Sequence, residues 1–181
     1  VRASNEQDKS ISNPLCKGYE FADFQVEKSY NDVYLLGELE RKNIKYQLQQ
    51  LIDIEQPITN GLLCKRIVKI WGLTRVTNRV QALVEDILES LTYYKTDNGD
   101  NGFACWHDKY CAEDYIQYRV NSQRDILDIP YVEIKNAMKY SLAQQIAIEK
   151  DDLKRLTAQQ LGFTRKGNNI NNATEYALNE L

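Results

Sequence analysis

Ile44, Leu48, Leu51 and Ile52 recur every three or four positions, which predicts a helix from about Leu39 to Asp53. The string "EQPI" ends it, because Pro57 steers Gln56 out of the helical region into a short extended stretch through Ile58. Thr59 or Asn60 is placed to cap a second helix, with Leu62, Leu63, Ile67 and Ile70 as its buried stripe and Lys65, Arg66 and Lys69 on the wet side. Trp71 is expected to close that core. Gly72 suits the left-handed residue that ends a helix, and Thr74 the capping residue of a third helix. Along that helix Val80, Leu83, Val84, Ile87, Leu88 and Leu91 share one face, leaving Arg75, Thr77, Asn78, Arg79 and Ala82 for the other.

The period then changes. "TYYKTDNGDNGFACW" reads as two β-prone runs around an Asp/Asn/Gly turn, hence a hairpin, and "YIQYRV" from Tyr115 to Val120 alternates like a strand. Helical spacing returns after Pro130 with Ile134, Ala137, Met138, Ser141 and Leu142. "QIAI" then stands where "EQPI" stood. A helix over Asp151 to Gln160, the turn "LGFTR" and a last helix over Thr164 to Leu181 complete the pattern. Of the first residues, Val1 to Asn13 is polar and expected to be loose, whereas "YEFADFQV" suits an ordered extended segment.

The two helical stretches are related. "GLTRVTNRVQALVEDILESL", Gly72 to Leu91, aligns without gaps with "GFTRKGNNINNATEYALNEL", Gly162 to Leu181, at an offset of 90 residues, and seven of twenty positions are identical. Unrelated segments of ordinary composition share roughly one or two. Self-similarity of this kind implies one supersecondary unit used twice. The expected fold is therefore mainly α with a small β-hairpin, in tandem winged-helix (helix-turn-helix) units. Its parts are a partly ordered extension over 1–38, a first unit over 39–120, a linker over 121–129, and a second unit without a wing over 130–181.

Composition narrows the function. The 181 residues are 43% hydrophobic and 27% charged, ordinary for a globular protein, and 23 basic against 26 acidic side chains leave a charge of −3. That balance argues against indiscriminate binding to polyanions, so any nucleic-acid contact must be local. No membrane span or secretory signal is expected, and the reading is cytoplasmic. A start at Val1 and a single methionine, Met138, suit a piece of a longer protein.

Candidate chemistry is sparse. Cys105, His107 and Cys111 are zinc-ligand types, but "CWHDKYC" has no paired CxxC and only Cys64 to offer as a fourth ligand, so no metal is expected. "GFTRKGNN" carries asparagines where a phosphate loop needs a lysine and a hydroxyl, so no nucleotide cofactor is expected either. Glu133 and Lys135 in "EIK" have the spacing of a nuclease metal site, but their place on a helix reads as a solvated face. The Asp/Asn/Gly turn reads as a surface turn rather than a calcium loop. With one histidine there is no case for a triad, and the chain reads as non-enzymatic.

The strings "IEQPITNGLLCKRIVKIWGLTRVTNRV", "IPYVEIKNAM" and "DLKRLTAQQLGFTRKGNNI", with the hairpin after the first, resemble an uncharacterised bacterial domain at the C-terminal end of large helicase-like proteins. Those proteins carry a superfamily one helicase core and often a restriction-endonuclease-like domain. The resemblance runs from about Leu39 to the end and implies a DNA- or RNA-processing setting, with the helicase or nuclease domains of the same parent as partners.

In a helix-turn-helix the start of the third helix meets the groove, while phosphate contacts fix the register. That expectation selects Arg75, Thr77, Asn78 and Arg79 in the first unit, and Arg165, Lys166, Asn168, Asn169 and Asn171 in the second. Arginine suits guanine and asparagine adenine, with Lys65, Arg66, Lys69, Lys154 and Arg155 on the preceding helices for phosphates. Arg75 and Arg165 equally suit bracing their turns through backbone carbonyls, and Asp97 and Asp100 beside Lys95 make a poor wing for phosphate. A docking module that positions the parent's catalytic domains is the alternative.

Overall fold

A computed structural model describes residues 14–25, 36–120, 124–165 and 167–181. The expectations for Val1 to Asn13, for residues 26–35 of the extension, for the first part of the linker and for Lys166 lie outside these residues. The chain is mainly helical with small sheets.

Strand β1 is Cys16–Gly18, and the extended residues after it lay Tyr19 and Ala22 into the first core. Helix α1 spans Glu38–Glu55; Glu40 accepts the Gly37 N–H at 3.0 Å, and two acidic residues in its first turn suit the helix dipole. Ile44, Leu48, Leu51 and Ile52 are fully buried as the spacing predicts. Gln56, extended before Pro57, stops the helix and starts β2, Ile58–Thr59. Thr59 then accepts the Leu62 N–H at 3.1 Å and opens α2, Asn60–Ile70.

Helix α2 ends as expected, on Gly72 at φ 60° with the Leu73 N–H bonded to Val68 at 2.9 Å. The next helix starts later than the sequence suggests. It is Thr77, not Thr74, that caps α3, Asn78–Leu88, by accepting the Val80 N–H. Thr74 and Arg75 therefore lie in the preceding turn. Strands β3, Tyr94–Asp97, and β4, Phe103–Trp106, form the expected hairpin, and β2 pairs antiparallel on the far side of β4 with Ile58 opposite Cys105. The sheet order is β2-β4-β3.

A short α4, Lys109–Glu113, follows, and then β5, which is limited to Tyr118–Val120 and runs parallel to β1. Pro130 leads into α5, Tyr131–Ala143, and then come α6, Lys150–Gln160, and α7, Asn168–Asn179. Both ends of α6 lie ninety positions after those of α2, and α7 begins ninety after α3. The turn matches as well: Gly162 has φ 93° and the Phe163 N–H bonds Ala158 at 2.9 Å. Thr164 and Arg165 again precede the helix, and Gly167 stands at the N-cap. Leu142, assigned to the core by its spacing, is instead exposed at the end of α5.

Two apolar clusters result. One is built on α1, α2 and α3; the other is built on α5, α6 and α7 and includes Tyr118. They are joined by the hairpin turn. Asn98, 1% exposed, accepts the Tyr131 N–H at 2.8 Å, and Asn101 donates to the Tyr131 hydroxyl at 3.1 Å. Tyr131 stacks on Tyr176 with ring centroids 4.2 Å apart. The turn expected at the surface is thus docked on α5 and α7.

Gly99 makes this docking possible, since it has φ 58° and a Cβ there would lie 2.9 Å from the Tyr176 ring. Gly99→Ala is expected to cost about 1–3 kcal/mol in chemical unfolding, from the left-handed backbone and the displaced ring together. An unchanged midpoint would mean that the contact between turn and ring carries no stability.

Candidate nucleic-acid interface

The beginnings of both third helices face solvent. At α3, Asn78 and Arg79 are exposed, as is Arg75 in the turn before it. Thr77 is half-buried and its hydroxyl is engaged as the cap. At α7, Asn168, Asn169 and Asn171 are exposed, and so is Arg165. Among the described residues neither Arg75 nor Arg165 bonds a backbone carbonyl, so the bracing role is not seen.

The cations expected to hold phosphate are largely committed. Lys65 meets Asp128 at 2.7 Å. Lys154 lies 2.8 Å from Glu175 and 2.9 Å from Asp151, and these carboxylates, Glu175 foremost, raise its pKa. It also reaches Asn171 at 3.5 Å. Arg155 pairs with Asp152 at 2.9 Å. Lys69 is exposed and has no ion pair among the described residues. Farther along α3 the surface turns acidic, with Glu85, Asp86 and Glu89 exposed and Asp86 taken by Arg41 at 3.1 Å. Positive charge on this helix is confined to its start.

Two expectations about charge are corrected. Arg66 is not on a wet face: its side chain is 14% exposed and pairs at 2.6 Å with Glu55, which is 0% exposed. Tyr19 donates to the same carboxylate at 2.6 Å. Glu133, read as part of a solvated helix face, is also wholly buried, between Arg119 at 2.6 Å and Arg124 at 2.7 Å. Burial alone would raise its pKa, but the two guanidinium groups outweigh that and hold it below the ordinary 4.5. The fork of Arg119 continues to the carbonyls of Glu55, Gln56 and Pro57, so this one side chain joins the end of α1 to α5.

A positional signal for both carboxylates was present in the sequence. Glu55 continues the stripe of Ile44, Leu48 and Leu51, and Glu133 shares a face with Ala137 and Ser141. A carboxylate on a buried stripe requires a partner.

The zinc-type residues are separated by their surroundings. Cys64 and Cys105 lie in the first core, where burial pushes their thiols up to about 11 and about 12. His107 instead meets Asp53 at 2.8 Å, and that hydrogen bond raises its pKa. Asp108 caps α4 through the Cys111 N–H at 2.8 Å. Among the described residues no three His, Cys, Asp or Glu side chains are grouped to hold a metal ion, and no helix is long and apolar enough to cross a membrane.

A family described as a protein of unknown function (DUF3320) matches residues 38–82, which run from the start of α1 into α3. That is about a quarter of the chain, and it contains α1, α2, the glycine turn and the start of α3, with Arg75, Asn78 and Arg79. No curated protein and no solved structure matches.

Proposed function

We propose that the chain is a non-catalytic tandem winged-helix module that binds nucleic acid through the starts of α3 and α7, as an accessory part of a helicase- or nuclease-type protein. The carrying observation is the order of the first unit: helix, strand, helix, helix, hairpin, with the strands arranged β2-β4-β3 and the start of α3 open to solvent. This order supports a winged-helix reading, in which the third helix would meet the major groove. The ninety-residue correspondence of α2 with α6 and of the start of α3 with that of α7 supports a second copy.

The wing takes no part in the contact, because its tip is docked on α5 and α7. Arg75, Arg79 and Arg165 supply the charge, and the asparagines supply base-edge donors and acceptors. The helicase or nuclease setting rests on the sequence resemblance described above.

The test is a salt titration of binding to duplex, forked and single-stranded DNA, with RNA as a comparison. Affinity is expected to fall with salt, and Arg79→Ala and Arg165→Ala are each expected to lower the magnitude of the log–log slope by roughly one. Absent or salt-insensitive binding overturns the proposal. The ion pairs at Lys65, Lys154 and Arg155 favour a second reading, docking on the parent's catalytic domains. Salt-insensitive association with those domains would support it.

A further inference from the structure

Between the extended residues after β1 and the last turns of α2 lies a pocket of about 380 Å³, within the ~300–1,000 Å³ common for small-ligand sites. Phe21 and Phe24 line one side, and Arg66, Lys69 and Ile70 the other. Phe21 is 52% exposed. Tyr19 meets it edge-on at 4.8 Å, and the Arg66 guanidinium lies 5.5 Å from its centroid. Arg66 therefore lies over the ring, which stays half exposed for a stacking partner.

The charges limit what can enter. Glu55 compensates Arg66, and Asp23 adds one negative charge to the lining, so Lys69 is the cation left for an anion. A polyphosphate has too little to bind, whereas a flat ring carrying one nearby phosphate has a partner for each part. Lys69 also sits just before the turn that carries Arg75, so the pocket adjoins the start of the proposed interface along the chain.

We infer that this pocket is a stacking site for one nucleotide unit of a single strand, with its base against Phe21 and its phosphate at Lys69. Stacking on an exposed ring beside a cation is how single strands are held with little sequence preference. The inference extends the proposed nucleic-acid role to a separate site, and it does not require the third helices to touch the strand.

The experiment uses the full chain and an end-labelled oligo-dT of about twelve nucleotides, followed by fluorescence anisotropy, with an abasic strand of equal length, thymidine monophosphate and a duplex as comparisons. Phe21→Ala is expected to weaken oligo-dT binding about tenfold and to leave abasic-strand and duplex binding unchanged. Phe21→Tyr, which keeps the ring, is expected to stay near the starting affinity. Lys69→Gln is expected to weaken oligo-dT and the abasic strand alike. Thymidine monophosphate displacing the strand at millimolar concentration would fit the site, whereas displacement at micromolar concentration would identify a free-nucleotide pocket and overturn the inference.

Equal losses on oligo-dT and the abasic strand with Phe21→Ala, or no loss on either, overturn it as well. If duplex binding is salt-sensitive while Phe21 is irrelevant, this site fails and the third-helix proposal stands. If oligo-dT binding depends on Phe21 and no duplex binds, this site stands and the third-helix proposal fails. Binding of no nucleic acid at all sinks both.

Discussion

Replacing Glu133 with alanine is expected to lower the unfolding free energy by roughly 3–5 kcal/mol, because it removes the carboxylate that two buried guanidinium groups share. Arg119 and Arg124 have 8% and 2% of their side chains exposed and share this carboxylate. The loss comes mainly from charge left without compensation in a low-dielectric setting, more than from the attraction removed. Urea unfolding measures it directly, and a loss below about 1 kcal/mol would mean that the arginines find other partners.

The same carboxylate carries a pH signature. Its pKa in the folded chain lies below the ordinary 4.5 that it regains on unfolding, so the native state holds its charge more tightly. Its contribution is complete above pH 4.5 and disappears as the pH falls through the lower, folded value. Wild-type stability should fall in that acid range, and Glu133→Ala should fall less steeply. Parallel curves would show that other carboxylates govern acid unfolding.

Trp71→Ala is expected to cost a similar ~3–5 kcal/mol by a different route. The indole is 2% exposed at the end of α2, and its Nε1–H donates to Gln47 on α1 at 2.8 Å. Alanine leaves a cavity between α1 and α2 and an amide, 5% exposed, without its donor. Trp71→Phe separates the two effects, since it retains most of the volume and is expected to lose about 1–3 kcal/mol from the unpaired Gln47. Equal losses for both variants would assign the whole effect to the hydrogen bond.

The candidate interface was legible in the sequence only as residue types at the start of a helix. Asn78, Arg79, Asn168, Asn169 and Asn171 are exposed there, and Arg75 and Arg165 are exposed in the turns just before. Which of the neighbouring lysines and arginines already had partners was not legible. Asp128, the partner of Lys65, lies 63 positions away. Lys154 is enclosed by two carboxylates from two helices, one near in sequence and one not.

The sequence alone determined α1, α2, α3, α5, α6 and α7, their order, the hairpin and the two glycine turns, because each follows from short-range rules; it did not show the short α4. Apolar spacing selects the face that is buried, and a left-handed turn selects glycine at 72 and 162. Even a cap three residues away could be misassigned, since both Thr74 and Thr77 carry the needed hydroxyl and only backbone geometry distinguishes them. Tertiary structure decided that Glu55 and Glu133 lie inside, that the hairpin tip docks on Tyr131 and Tyr176, and that Arg119 fastens α1 to α5. A carboxylate is buried or solvated according to whether a cation from elsewhere in the chain arrives beside it, and a one-dimensional pattern does not contain that meeting.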